Sequence, residues 1–357
     1  MNGSLTFIFP LDGDMLNGYD GQETEQALEI TARVSAPKGS VITINGFPAA
    51  FDGAAFQAKV SLTERDNTLT ARAQNGGQQQ IRVYWLKNST GKFRVSVDDN
   101  IHFLKDLARN ADRYTSIFDN AYLRVYREAH ERYQAKVHLN VFYQEDGFDL
   151  SMMPLKYKSE FKEVSSWLRM QFHAEQEFPD KPYQFASYAT VKRDYERIAE
   201  QLRRFAGYED LAPTTTVHWG ELNREGGRAL HDCGLRCLMG YFQKMDDRWI
   251  VSYYLNEQQC EHMAGRDFWM DHESGMTFGH IKRVMNIGPK SGIIPDLEQA
   301  CRNPHTAGFM EVMIHEQYFY PDYMNYLPDF RERILDTLEW ITAAGYKPAW
   351  VSDAIGI

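Results

Sequence analysis

The chain has no apolar run approaching the roughly 18 residues that a membrane-spanning helix requires, so no membrane segment is expected. Its start, M-N-G-S-L-T-F-I-F-P, has neither a basic n-region nor a long apolar h-region. No signal peptide is expected, and the chain reads as cytoplasmic as written, or as secreted or periplasmic if a leader was trimmed. Basic stripes are missing too. With 49 acidic against 39 basic residues and a formal net charge of −10, nucleic acid and anionic membrane are poor partners. Cysteine is scarce: Cys233, Cys237, Cys260 and Cys301 follow no metal-ligand spacing and are expected to be buried free thiols. Internal repeats and low-complexity segments are likewise lacking.

What is present is enough apolar residue, 43% of 357, for one large α/β domain and a small one. Aromatics are plentiful, with 21 Phe, 20 Tyr and 7 Trp. Those beyond the needs of a core can stack on sugar faces, which makes a carbohydrate or small glycan a candidate substrate.

The first ninety or so residues read as short strands divided by turn chemistry. L-T-F-I-F, A-L-E-I-T-A-R-V, S-V-I-T-I-N-G, F-Q-A-K-V-S-L, N-T-L-T-A-R-A and I-R-V-Y-W-L alternate with D-G-D, A-P-K-G, F-D-G and Q-N-G-G. That pattern predicts a small antiparallel β-sandwich over residues 1–88. The stretch A-P-K-G-S-V-I-T-I-N-G resembles immunoglobulin-like accessory modules of carbohydrate enzymes. Lys87 to Lys92 is a polar hinge.

From residue 92 to 357 strands alternate with amphipathic helices, as in parallel βαβ units. Strands are predicted at Phe93–Asp98, Lys136–Tyr143, Leu168–His173, Thr214–Trp219, Leu235–Tyr241, Trp249–Leu255, Phe309–His315 and Pro348–Val351. Helices are predicted at Asn120–Tyr133, Tyr188–Phe205, Gly226–Cys233 and Pro328–Ala344. Seven or eight such strands imply a (β/α)7–8 barrel of parallel strands. Four of them end in ionisable groups: V-S-V-Asp98-Asp99, M-Q-F-His173, T-V-His218-Trp219 and V-M-I-His315-Glu316. In a parallel barrel the strand C-termini open on one face, so these groups would converge in one cleft. The competing reading of Asp98-Asp99 is a pair that caps the following helix.

These motifs resemble the polysaccharide deacetylase (NodB-homology) family over roughly residues 93–352. S-V-Asp98-Asp99-Asn100 stands where the family has T-F-D-D-G, and V-M-I-His315 fits its late L-x-H. The resemblance implies Asp98 as catalytic base, Asp99 as metal ligand and His315 as the second catalytic group. It also implies His173 as a metal ligand, with Glu177 in the place of the motif's second histidine. The third ligand is then Glu177, His218 or water. His218, Trp219, Glu221 and Tyr318 are candidates for substrate binding.

Chemically, a cation at Asp99 would let Asp98 stay ionised and accept a proton from an activated water. An imidazole such as His315 suits protonation of a leaving group. The expected cofactor is a divalent metal, with zinc favoured and cobalt, nickel or manganese also compatible. The implied activity is metal-dependent deacetylation of an acetylated (amino) sugar or glycan. Two alternatives stand beside it. One is a glycoside-cleaving barrel using two carboxylates from Asp98, Glu177, Glu221 and Glu316. The other is a catalytically lapsed carbohydrate-binding protein. Asp267 to Glu273 forms an acidic stretch without assignable spacing.

Overall fold

The computed structural model describes residues 5–357; residues 1–4 of the expected first domain lie outside the described residues. All six strands predicted in the first ninety residues form. β1 (Thr6–Phe9), β2 (Leu28–Ser35) and β4 (Phe56–Leu62) pair antiparallel in one sheet. β3 (Ile42–Ile44), β5 (Asp66–Ala73) and β6 (Gln78–Trp85) pair antiparallel in the other. Alternation sets the inward face: Leu28, Ile30, Ala32 and Val34 of β2 are buried, as are Phe56, Ala58, Val60 and Leu62 of β4. Together with Leu69, Ala71, Ile81 and Val83 they make a separate sandwich core.

The rest is α/β, built on parallel strands in two ladders. β7 (Lys92–Asn100), β8 (Val137–Phe142) and β9 (Leu168–Ala174) form one ladder with β14 (Phe309–His315) and β13 (Arg283–Val284), in the order β9-β8-β7-β14-β13. β10 (Thr214–Thr215), β11 (Cys237–Gly240) and β12 (Met276–His280) form a second. The two ladders meet at both ends, giving the cyclic order of a barrel. At one seam Gln171 Nε2 donates to the Ala212 carbonyl at 2.5 Å. At the other, β12 runs on into β13: Ile281 N–H still reaches Gly240 O at the end of β11 at 2.7 Å, and the next residue, Lys282 N–H, reaches Glu311 O of β14 at 2.8 Å. Phe93, Val95 and Val97 of β7 pack in the main core with α1 (His102–Arg109), α2 (Ala121–Tyr133) and α3 (Phe330–Ala343). The alternate residues face other strands: Arg94 pairs with Glu311 at 2.6 Å and with His138 at 2.9 Å.

Three predicted strands differ. Thr214–Trp219 stops at Thr215 and turns into a 3-10 segment, His218–Gly220. Trp249–Leu255 is no barrel strand, because Val251 and Tyr253 adopt φ of 48° and 57°. Arg248–Ile250 instead pairs back antiparallel on Gln243–Met245. Its place in the barrel is taken by β12, whose pattern is interrupted by Gly279. A Cβ there would stand 2.5 Å from Met239 Sδ, so close packing requires the glycine that hid the strand. Of Pro348–Val351 only Lys347–Pro348 is strand, paired with β7. All four cysteines are free, but Cys233 and Cys301 are only partly buried. The acidic stretch is structural: Asp267 pairs with Lys282 at 2.9 Å and accepts from Gly308 N–H at 2.8 Å.

The sandwich docks through buried charge. Arg266 reaches Asp14 at 2.8 Å and Asp20 at 2.7 Å, while His262 meets Asp14 at 2.6 Å and His305 meets Asp20 at 2.7 Å. Burial alone would raise the Asp20 pKa, but His305 and Arg266 outweigh it and hold the carboxyl below its ordinary value. A carboxyl with a depressed folded-state pKa stabilises fully above its unfolded pKa of about 3.9 and loses this as pH falls through the folded value. Asp20→Asn should therefore cost about 3 kcal/mol of unfolding free energy at pH 7, as expected when a buried ion network loses one partner. The difference from the parent should shrink as pH drops below about 4. Urea midpoints at pH 7 and pH 3 check this; equal midpoints at pH 7 would contradict it.

Candidate active site and metal centre

Strict alternation would send Asp98 and Asp99 to opposite faces of β7. The register with β8 slips between Val97 and Asn100, and Asp99 takes a left-handed φ of 61°. This bulge re-aims the chain so that both carboxylates, 2% and 7% exposed, line one cavity. Asn100 fixes the turn. Its Nδ2 donates to the carbonyls of Val97 at 2.6 Å and Asn140 at 3.0 Å, and its Oδ1 accepts from Tyr122 O–H at 2.7 Å.

The helix that follows is capped from across the barrel. Glu316 accepts the backbone N–H groups of Ile101, His102 and Phe103 at 2.5, 2.9 and 2.7 Å, and the Tyr320 hydroxyl at 2.9 Å. It satisfies the orphan donors of α1 and anchors the residue next to His315. The paired aspartates do not cap this helix.

Three potential ligand atoms converge beside the bulge. Asp99 Oδ1 lies 3.0 Å from His173 Nε2 and 3.1 Å from His218 Nδ1, and the two nitrogens are 3.2 Å apart. The outer nitrogens decide the tautomers. His173 Nδ1 faces the Thr216 carbonyl at 2.5 Å and His218 Nε2 faces the Glu177 carbonyl at 3.1 Å. A carbonyl only accepts, so these nitrogens carry the protons and the inner ones present lone pairs. Burial, countered in part by the Asp99 charge, lowers the His173 pKa and favours this neutral form. Two imidazole nitrogens and a carboxylate oxygen, with the outer N–H groups tied to backbone, could together hold a metal ion.

Asp98 and His315 are register partners on β7 and β14. Asp98 Oδ1 accepts from Asn140 Nδ2 at 2.6 Å. Burial, opposed by Asn140 and reinforced by the Asp99 charge, raises its pKa well above the ordinary value. Asn286 Oδ1 accepts both His315 N–H, at 3.2 Å, and His315 Nδ1–H, at 2.9 Å. This leaves His315 Nε2 for the cavity, 4.0 Å from Asp99 Oδ2. Burial lowers the His315 pKa, and Asp99 pulls it back up.

Asp98, Asp99, His173, His218 and His315 thus line one cavity of about 360 Å³. Trp219 and Tyr318 stand on its wall; Trp219 is 49% exposed at a φ of 62°. Its neighbour Gly220 packs so close to Val251 that a Cβ would come within 2.4 Å. Glu177 lines the cavity, but His218 is the third member of the ligand group and Glu177 contributes its backbone carbonyl. Glu221 is not brought in; it pairs with Lys181 at 3.0 Å. Asn140, Asn286 and Gln317 escaped the sequence reading. The signal for Asn140 was the pair of polar residues at period two in V-H-L-N-V-F, which marks a polar barrel interior.

No protein-family model matches the chain, and no curated protein does. Among solved structures it resembles carbohydrate esterase family 4 polysaccharide deacetylases over about 74% of its length. A family 4 acetyl xylan esterase from Clostridium thermocellum, in complex with a cobalt ion, matches at 11% identity and TM-score 0.39, covering 74% of this chain and 90% of that one. The catalytic domain of a peptidoglycan N-acetylglucosamine deacetylase from Eubacterium rectale matches at 10% identity and TM-score 0.36, with coverages of 74% and 90%. A 4-alpha-glucanotransferase from Thermococcus litoralis matches at 11% identity and TM-score 0.48, covering 75% of this chain but only 40% of that one.

The ligand geometry predicts that zinc or cobalt binds with one-to-one stoichiometry by calorimetry. Asp99→Ala, His173→Ala and His218→Ala should each abolish that binding while circular dichroism stays unchanged. Glu177→Gln should retain it, since only the backbone carbonyl of this residue touches the group. Loss of binding in Glu177→Gln with retention in His218→Ala would contradict the assignment.

Proposed function

We propose that the protein is a metal-dependent hydrolase that removes acetyl groups from an acetylated sugar or glycan. In this reading residues 92–357 form a deacetylase-like (β/α) barrel and residues 1–88 an immunoglobulin-like accessory domain. The observation that carries it is the Asp99, His173 and His218 group, set beside Asp98 and His315 in one cavity. A divalent cation held by Asp99, His173 and His218, zinc in first place, would supply Lewis acidity for the acetyl carbonyl and activate water near neutral pH.

The chain's own residues do the rest. Asp98, oriented by Asn140, takes a proton from the attacking water. The water oxygen bonds to the acetyl carbon, and the bond from that carbon to the leaving nitrogen or oxygen breaks. His315 Nε2 delivers a proton to the departing atom, its ring held in place by Asn286. The products are acetate and the free amine or alcohol. Trp219 and Tyr318 offer aromatic faces for a sugar ring.

The glycosidase alternative loses two of its candidate carboxylates, because Glu316 is consumed by the cap of α1 and Glu221 by Lys181. Asp98→Asn should keep the metal yet lower kcat by about two to four orders of magnitude. His315→Ala should lose as much on a glycan but far less on an aryl acetate, whose leaving group departs without a proton. An Asp98→Asn protein as active as the parent would overturn the assignment of the base.

A further inference from the structure

A cavity of about 510 Å³ lies where the two domains meet, and the reaction above makes no use of it. Tyr19 of the first domain lines it, together with Trp340 of α3 and Tyr346 just beyond that helix. Tyr346 O–H donates to the Ala307 carbonyl at 2.7 Å, which fixes its ring. Tyr19 is set on a rigid loop. Asn17 Oδ1 accepts its N–H at 2.9 Å, and the adjacent Asp20 pairs with Arg266 and His305 at 2.7 Å each. Buried charge thus pins the loop while the Tyr19 side leaves 46% of the residue exposed. Aromatic faces held in place in this way lose little conformational entropy when a ligand stacks on them.

The polar groups around the cavity are unpaired. Glu298 and Arg302 stand four residues apart, on and just after the helix Ile293–Cys301, and both line it. Opposite charges at that spacing ordinarily meet. Among the described residues neither side chain has an ion pair or a hydrogen bond, and Trp340 Nε1–H has no acceptor. The cavity therefore offers aromatic faces, two groups that only donate and a carboxylate that only accepts. A cationic or an anionic ligand is repelled by one of the two charges. A neutral sugar suits all of them, because each hydroxyl both donates and accepts and the CH-rich ring face stacks on an aromatic. Pockets with this mixture of aromatic wall and few polar groups occur preferentially at domain interfaces.

We propose that this junction is a second binding site, for a neutral oligosaccharide chain, separate from the catalytic cavity. Tyr346 and Ala307 stand just before the starts of their strands, whereas Asp98 and His315 stand at strand ends. The length of β14 puts about 20 Å between the two levels. The site therefore anchors a glycan at a distance and does not position the reacting group. It also gives the first domain a task, since Tyr19 completes a pocket that the barrel alone leaves open. The binding does not depend on the deacetylase reading.

Calorimetric titration of the full chain with hexasaccharides of glucose, xylose, mannose and N-acetylglucosamine tests this. Free phenylalanine, a zwitterion with one aromatic ring, is the control. At least one hexasaccharide should bind more tightly than phenylalanine. Tyr19→Ala and Arg302→Ala should each weaken that binding about tenfold. Both residues are exposed, so circular dichroism should stay unchanged. Cleavage of an aryl acetate by the zinc-loaded variants should match the parent, because neither residue lines the catalytic cavity. A parent that binds none of the four sugars or prefers phenylalanine, or variants that bind as tightly as the parent, would overturn the proposal. A protein that cleaves no acetate but loses sugar affinity in Tyr19→Ala keeps this site and discards the deacetylase reading.

Discussion

Three lone pairs pointed at one another are the constraint around which this site is organised. Asp99 Oδ1, His173 Nε2 and His218 Nδ1 sit within 3.2 Å of each other, and the protons that would relieve them are committed to backbone carbonyls on the far sides of both rings. Water is largely excluded, since His173 is 1% and His218 6% exposed. Such an arrangement is unfavourable unless a cation lies among the three atoms, either an added proton or a metal ion. Backbone carbonyls rather than mobile side chains fix the ring orientations, which suits the group to the cation proposed above.

Much of the surrounding fold serves to hold that arrangement. The bulge at Asp99 lets adjacent aspartates serve one cavity, and Asn100 with Tyr122 keeps the bulge from relaxing. Glu316 ties the end of β14 to the first turn of α1, so the strand ends carrying Asp98 and His315 are linked at the rim as well as through their ladder. Beneath them the barrel interior is polar, with Arg94, Glu311 and His138 closing a buried charge network. Asn140 stands between that network and the cavity, its side chain on Asp98 and its carbonyl on Asn100.

Local patterning made some of this legible. β2 and β4 of the sandwich alternate strictly, and β14 has the bounds its apolar run implied, because these segments obey the period of a half-buried or fully buried strand. β10 was over-extended because Val217-His218-Trp219 has strand composition, whereas the turn that brings His218 to Asp99 requires Trp219 in the left-handed region. β12 was lost to Gly279, a residue chosen by packing rather than by propensity. Within the site, strand-end position singled out Asp98, Asp99, His173, His218 and His315, which line one cavity. It could not rank His218 above Glu177, since that choice depends on tertiary contacts spanning Asp99 to His218. Glu316 looked like an available acid because sequence carries no sign that its oxygens meet helix N–H groups two hundred residues earlier.

X-ray absorption at the metal edge of the protein loaded with one equivalent of zinc or cobalt tests the central claim most directly. Asp99, His173 and His218 predict two imidazole nitrogens and at least one carboxylate oxygen at about 2.0–2.2 Å, with no sulfur in the shell. A spectrum showing one imidazole or none, or a thiolate at about 2.3 Å, would contradict it.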